Sequence, residues 1–367
     1  MKNIIGPILF ILCLLDYTFA IGQTDSLKKV VSPTITWNGY AEVYYLYNFN
    51  NPANHEQPAF IYSYNRSNEI NLNIGYIKGS YSSSNTRANL SLMTGTYAVA
   101  NLAAEPSALR ILFEGNVGVK LSHTKNLWLD AGVFPSHIGF ESAIGKDCWN
   151  LTRSILAENS PYYESGIKIG YTSANEKWFL AGMILNGWQR IKRQDGNSTP
   201  TFGTQVIWKP ANNITLNSST YIGSDKPDTI RKWRYFHNLF GIVNFPTKWS
   251  LMIGLDAGAE QKEKNGHTLS VWYSPVVIVK YILNGKISLS GRAEYYRDKN
   301  GVIIYTGTAN GFQTTGLSFN FDYAVRDNVL WRLEARSLQS NDNIFQKGRS
   351  QYVNSSSWLA TSISIVF

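Results

Sequence analysis

The feature that most constrains this chain is an apolar residue at every second position, recurring in segment after segment with few charges on that side. In TITWNGYAEVYYLYNF (34–49) one side reads Ile35, Trp37, Gly39, Ala41, Val43, Tyr45, Tyr47, Phe49, and the other Thr36, Asn38, Tyr40, Glu42, Tyr44. A period of two is the repeat of an extended strand with one apolar and one polar face. The same parity returns at Ile70–Tyr76, Ala88–Leu92, Ile111–Leu121, Leu127–Val133, Tyr163–Tyr171, Trp249–Ala257, Ile287–Tyr295, Leu317–Tyr323, Val329–Ala335 and Leu359–Phe367. Less regular segments near 178–188, 202–208, 214–222, 233–245 and 269–282 complete a set of about sixteen strands of bilayer-crossing length.

The connections alternate in length, which a period of two does not require. Short links fall at YSSSNT, HTKN, SANEK, KPANN, FPTK, LNGK and AVRDN, rich in tight-turn residues. Between them lie long ones such as NNPANHEQPAFIYSYNRS, residues 135–160, QRIKRQDGNST and SNDNIFQKGRSQYVNS. Tyr171, Trp178, Trp208, Phe245, Trp249, Tyr281 and Tyr323 flank the short links, where amphipathic rings suit lipid headgroups. Charged residues make up 16% of the chain, against roughly 25% in an ordinary globular protein. After residue 20 no apolar run is long enough for a transmembrane helix, so lipid has to be crossed by strands that pair all round. The expected fold is all-β: a transmembrane antiparallel up-and-down β-barrel of about sixteen strands, with short periplasmic turns and long extracellular loops.

MKNIIGPILFILCLLDYTFA reads as a cleaved signal peptide at 1–20: Lys2, a short apolar run, then a small-residue end. Residues 21–33 would be a short periplasmic segment and 34–367 the barrel in the cell outer membrane. Beyond the signal only Cys148 remains, so no intrachain disulfide is expected.

An Arg or Lys facing lipid at the midplane costs roughly 2–4 kcal/mol, so the charges of the opposite faces should look into the lumen. A barrel of this size is too wide for wall side chains alone to fill and should enclose water. The candidate pore-lining residues on the strands are Glu42, Arg87, Arg110, Glu114, Arg292, Glu294, Arg332, Glu334 and Arg336. The chain carries a formal net charge of +9, and one loop holds Arg190, Lys192 and Arg193. This leans toward anionic solutes, or toward lipopolysaccharide phosphates.

AGVFPSHIGFES (131–142), LTRSILAENSPYYESGIKIGY (151–171), RAEYYRD (292–298) and WRLEARS (331–337) resemble the OmpL-like β-barrel porins of Bacteroidetes-type bacteria. Arg153, Glu158, Asn159, Ser160, Pro161 and Tyr162 match the most specific stretch. The resemblance implies an outer-membrane porin for passive diffusion of small hydrophilic solutes and carries no set of binding residues. The third long connection, 135–160, mixes aromatic and charged residues with short helical features, unlike a merely solvated loop. By analogy with sixteen-stranded porins it folds into the barrel, making His137, Glu141, Lys146, Asp147, Arg153 and Glu158 constriction candidates.

An enzyme is not expected: the five histidines are scattered, without HExxH, GxSxG or a metal-ligand spacing. No cofactor, metal or nucleic-acid partner is implied; the expected partners are outer-membrane lipid, lipopolysaccharide and solute. The closing Phe367 resembles the terminal aromatic signal read by the barrel-assembly machinery, and association into homotrimers is left open. The competing reading is a structural or surface-binding barrel with a closed lumen.

Overall fold

The computed structural model describes residues 32–367. The expected signal peptide and most of the 21–33 segment lie outside the described residues. Strands β1 (Thr34–Asn48), β2 (Ile70–Ser82), β3 (Thr86–Thr94), β4 (Leu112–Lys120), β5 (Asn126–Pro135), β6 (Tyr163–Thr172), β7 (Trp178–Leu185) and β8 (Thr201–Ala211) form one half of a closed antiparallel barrel. The other half is β9 (Ile214–Gly223), β10 (Arg234–Asn244), β11 (Trp249–Gln261), β12 (Leu269–Ile282), β13 (Ile287–Asp298), β14 (Phe312–Arg326), β15 (Val329–Ser340) and β18 (Ser355–Val366). A small hairpin, β16 (Phe345–Lys347) and β17 (Gln351–Val353), stands apart between β15 and β18. Sixteen strands therefore close on themselves, β1 pairing with β18 from Tyr40↔Val366 to Asn48↔Trp358. No sheet edge meets lipid, which is the condition for crossing a bilayer with strands.

The alternation read from the sequence is the alternation of exposure. In β11, Trp249, Ile253, Leu255 and Ala257 are outside while Ser250, Met252, Gly254 and Asp256 are buried inside. In β14, Leu317 and Phe319 are outside, with Ser318 and Asn320 inside. The outer face is apolar because its solvent is hydrocarbon, and the seven short links all lie on one rim. There Trp178 stacks on Trp208 at 5.3 Å and Trp249 meets Tyr281 at 4.6 Å, across paired strands.

Beyond the register shifts of β2 and β4, where Ile74, Tyr76 and Phe113, expected outside, turn inward, the stripe has two departures. Val133 and Tyr163, expected outside, are buried inside at the paired ends of β5 and β6. Gly132 has φ +127°, a conformation open to glycine, and a Cβ there would run into the backbone of Gly115 and Asn116. The parity of β5 changes at that point, turning Val133 and Phe134 inward together. The second departure is β12, apolar on both faces: Val271 and Val277 are outside, while Trp272, Val276 and Ile278 are buried inside. That two-sided composition is why its pattern is indistinct in the sequence.

The inward apolar residues have a partner. Met252, Val276 and Ile278 form one cluster with Leu156 and Ala157 of the β5–β6 connection. A second cluster joins Tyr40, Ile74 and Met93 of the wall to Tyr97 and Ala143. The connection 135–160 crosses the lumen as a folded loop and has an apolar core of its own there.

Candidate functional site: a loop clamped across the lumen

The connection between β5 and β6 carries two short helical turns, a 3-10 turn at Gly145–Asp147 and α2 (Ile155–Glu158), after α1 (Thr96–Asn101) of the preceding long loop. Ser154 caps α2, its hydroxyl accepting from the Ala157 amide at 3.1 Å. Such a turn is too short to be stable alone; the walls hold it.

Three neighbouring strands provide one grip. Residues two apart on a strand face the same way, so Ser290, Arg292 and Glu294 of β13, Ser318, Asn320 and Asp322 of β14, and Arg332, Glu334 and Arg336 of β15 form an inward polar field. The register aligns Arg292–Ser318–Arg336 and Ser290–Asn320–Glu334 as rows. Arg292 donates to the Thr152 carbonyl at 2.6 Å and Arg336 to that of Arg153 at 2.7 Å. Arg332 donates to the carbonyls of Gly145 at 2.7 Å and of Cys148 and Trp149 at 3.0 Å. Glu334 accepts from the Thr152 amide at 2.5 Å and hydroxyl at 2.8 Å, Glu294 from the Ile155 amide at 2.6 Å, and Asn320 from the Leu151 amide at 2.9 Å. The same groups pair with one another: Arg336–Glu294 at 2.6 Å, Arg292–Glu334 at 3.2 Å and Arg332–Asp322 at 2.7 Å.

The opposite wall holds the loop with fewer charges. His137 bonds the Thr220 carbonyl through Nε2 at 2.9 Å, and its own carbonyl accepts from Gln205 at 3.0 Å and Ser219 at 2.7 Å. The Gly139 amide donates to Asn238 at 3.2 Å, and Asn238 donates to Asp256 at 2.6 Å; Asp256 also accepts from Ser160. From above, the first long loop latches on. Glu158 accepts from the Tyr62 amide at 2.9 Å and the Ser63 amide at 3.2 Å, and Asn159 donates to the Phe60 carbonyl at 3.1 Å. Burial pushes the Glu158 carboxyl up to about 7, against the pull of those amides and of Arg153. Burial pushes the His137 imidazole down to about 4, so it is neutral at pH 7, and the buried Cys148 thiol is pushed up to about 11.

The structure gathers Glu141, Arg292, Glu294, Arg332, Glu334 and Arg336 around the loop, nearly all shielded from solvent. Glu141 accepts from the Ser154 amide at 3.0 Å. Arg153 does not reach toward a solute path; it folds back on the carbonyls of Ser142 and Leu151 at 2.5 Å and is fully buried. Glu42 is buried between Tyr64 at 2.8 Å and Ser362 at 3.0 Å, beside Gly145. Arg87, bidentate to Asp130 at 2.7 and 2.6 Å, and Glu114, paired with Lys78, lie apart on the β2–β5 wall. Lys146 and Asp147 form a half-exposed pair at 2.7 Å. Arg110 is not on a strand: it ends the β3–β4 connection and holds the carbonyls of Glu105 and Ala103 at 3.0 and 2.9 Å. Sequence reasoning did not single out Asn238, Asn320 or Asp322 as site residues; their strand parity was available as a signal, but only the folded loop reveals its contacts.

Cavities remain on both sides of the clamp. One of about 660 Å³ lies between the loop and the walls of β2, β4, β8 and β10, lined by Lys78, Glu114, Phe140, Gln205 and Tyr162 among others. Another of about 540 Å³ lies among the long loops, lined by Glu158, Ser160, Arg190, Asp225, Lys226 and Arg234. The segment 160–163 runs between them, Pro161 and Tyr162 lining the first and Ser160 and Tyr163 the second.

A closed sixteen-strand barrel with an apolar outer band, aromatic residues at one rim, long loops at the other and one loop folded inside defines an outer-membrane porin. The family model described as "Putative beta-barrel porin-2, OmpL-like" matches residues 34–367, and the chain belongs to that family. Among solved structures, the anion-selective porin of Comamonas acidovorans superposes with a TM-score of 0.60 at 10% identity, over 91% of this chain and 100% of the other. The outer-membrane protein OmpT of Vibrio cholerae in its trimer form gives 0.59 at 9% identity, covering 91% and 99%. OprB of Pseudomonas putida gives 0.57 at 10% identity, covering 91% and 94%. At these identities the likeness concerns the fold. No curated protein matches the sequence.

Proposed function

We propose that solutes cross this porin through the cavity among the long loops, past residues 160–163, and into the cavity beneath the clamped loop, with a preference for anions. The observation that carries the reading is the charge arrangement in the outer of these two cavities. Asp225 is held by Arg234 at 3.0 Å and Glu158 by backbone amides, whereas Arg190 and Lys226 form no ion pair among the described residues. Their uncompensated charge would concentrate anions at the entrance. An anion-selective porin of similar fold lends this support. We read the chain as a channel, not an enzyme, exported by its first twenty residues and surrounded by lipid and lipopolysaccharide, and the trimer form of one similar structure supports the same assembly here.

The test is reversal potential in a potassium chloride gradient across planar bilayers. Chloride should be favoured, and the double variant Arg190→Ala/Lys226→Ala should move the permeability ratio toward unity. A cation-selective wild type, or an unchanged ratio in the variant, would overturn the anion preference. The two-sided clamp and buried clusters favour one rival, a barrel with a closed lumen that works through its loops. Silence from well-folded protein would establish that rival.

A further inference from the structure

Above the clamped loop a cavity of about 620 Å³ opens between the first long loop and the two that precede and follow β14 and β15. Its walls include Asn48, Gln57, Phe60, Tyr62, Tyr305 and Tyr352. Tyr305 is 82% exposed and Tyr352 56% exposed, so both side chains are open to solvent. Phe60 by contrast is wedged edge-on against Phe312 at 4.7 Å and Phe345 at 6.3 Å, a packed floor under solvent-open walls. The one formally charged residue of the lining, Glu56, is paired with Arg66 at 3.1 Å. Asn48 donates to Gln57 Oε1 at 3.0 Å, fixing that amide with Nε2 as its other end. Gln57 Nε2 is buried and has no protein partner. Asn343 also lines the cavity, and its amide makes no bond among the described residues.

Exposed aromatic faces, free amide donors and acceptors, and no unbalanced charge suit a ligand with apolar C–H faces and many hydroxyls. A buried donor without a partner is costly, and a ligand hydroxyl would satisfy it. We propose that this cavity is a binding site for neutral saccharides at the mouth of the channel, distinct from the basic cavity beside it and sharing Tyr62, Asn159 and Ile303 with it. Sugar rings stack on Tyr305 and Tyr352, and Gln57 and Asn343 bond their hydroxyls. The proposal rests on the porin reading only in taking the long-loop rim as the solute-facing mouth.

The experiment is calorimetric titration of the folded, detergent-solubilised barrel with maltotriose, raffinose and lactose, beside polyethylene glycol of similar size and a neutral tripeptide. At least one saccharide should give saturable heat, and Tyr305→Ala/Tyr352→Ala should weaken it at least tenfold. Gln57→Leu should weaken it severalfold; should that buried variant fail to fold, the tyrosine pair on exposed loops decides. No saturable heat from any of the three sugars, equal binding by the double variant, or binding of the tripeptide alone would overturn the proposal. Ion conductance measured on the same sample separates the two readings. A conducting barrel without sugar heat keeps the channel and loses the site, and a silent barrel with it does the reverse.

Discussion

The two walls that grip the lumenal loop use different chemistry. On β13–β15 the grip is a lattice of arginines and carboxylates, paired with one another and bonded to loop amides and carbonyls. On β8–β11 it is mainly amides, hydroxyls and a neutral histidine, with Asp256 as the one carboxylate. The difference teaches where the loop should yield first. A buried ion pair adds little net stability over a hydrophobic substitute, yet removing one partner strands a charge and costs ~3–5 kcal/mol. A neutral bond lost in a buried site costs about 1–3 kcal/mol.

The sharpest way to break this contrast is Arg336→Leu, which leaves Glu294 without its closest charged partner. The variant should unfold at a clearly lower temperature in detergent and show larger, noisier single-channel currents as the loop loosens. Wild-type melting and currents would mean the charged wall does not hold the loop. A pH series comes next, because the latch from the first long loop, through Glu158, and the neutral wall, through His137, titrate in opposite senses. Glu158, near 7 in the fold against an ordinary 4.5, keeps its proton in the folded state over that interval, so its contribution makes stability fall as pH rises from 4.5 to 7. His137, near 4 against 6.5, stays neutral while the unfolded chain takes a proton, so its contribution makes stability rise from pH 4 to 6.5. Each is on the order of 3 kcal/mol and the two largely cancel. Glu158→Gln should therefore expose a stability that climbs with pH, and His137→Asn one that declines. Parallel curves for both variants and wild type would contradict the assignment.

Smaller effects sharpen the same picture. Asn238→Ala removes the bond to Gly139 and uncouples Asp256, and should lower stability by about 1–3 kcal/mol in chemical unfolding, less than Arg336→Leu. Equal or greater loss would reverse the ranking of the walls. Lys146→Ala, at a half-exposed pair, should change stability by less than ~1 kcal/mol. A larger loss would show that the solvent-facing side of the loop also bears load.

The lipid-facing half of each strand was legible in the sequence, because hydrocarbon imposes one demand on every outward residue. The inward half answers to a partner that arrives from far along the chain. Arg292, Glu334 and Arg336 could be read as lumenal from parity alone, but their roles depend on carbonyls and amides of residues 151–155, which no side-chain pattern displays. Val133 and Tyr163 were misplaced because two paired positive-φ glycines, Gly132 and Gly166, change the parity of β5 and β6 together. The inward apolar face of β12 blurred its signal for the same reason that it matters: it seats Leu156 and Ala157.

The arginines of β15 and β13 take hold of the loop by its main chain. Carbonyl groups are common to all amino acids, so half-exposed side chains such as those of Lys146 and Asp147 can drift while the seat persists, and the channel can change what it admits without rebuilding its frame. Gly145, Thr152 and Arg153 are exceptions: a larger residue at Gly145 would press on Glu42 and the Tyr64 hydroxyl, the Thr152 hydroxyl bonds Glu334, and Arg153 is buried on the loop's own carbonyls. Descendants of this barrel would be free to diversify at the half-exposed positions of that stretch, and held where a side chain is itself part of the seat.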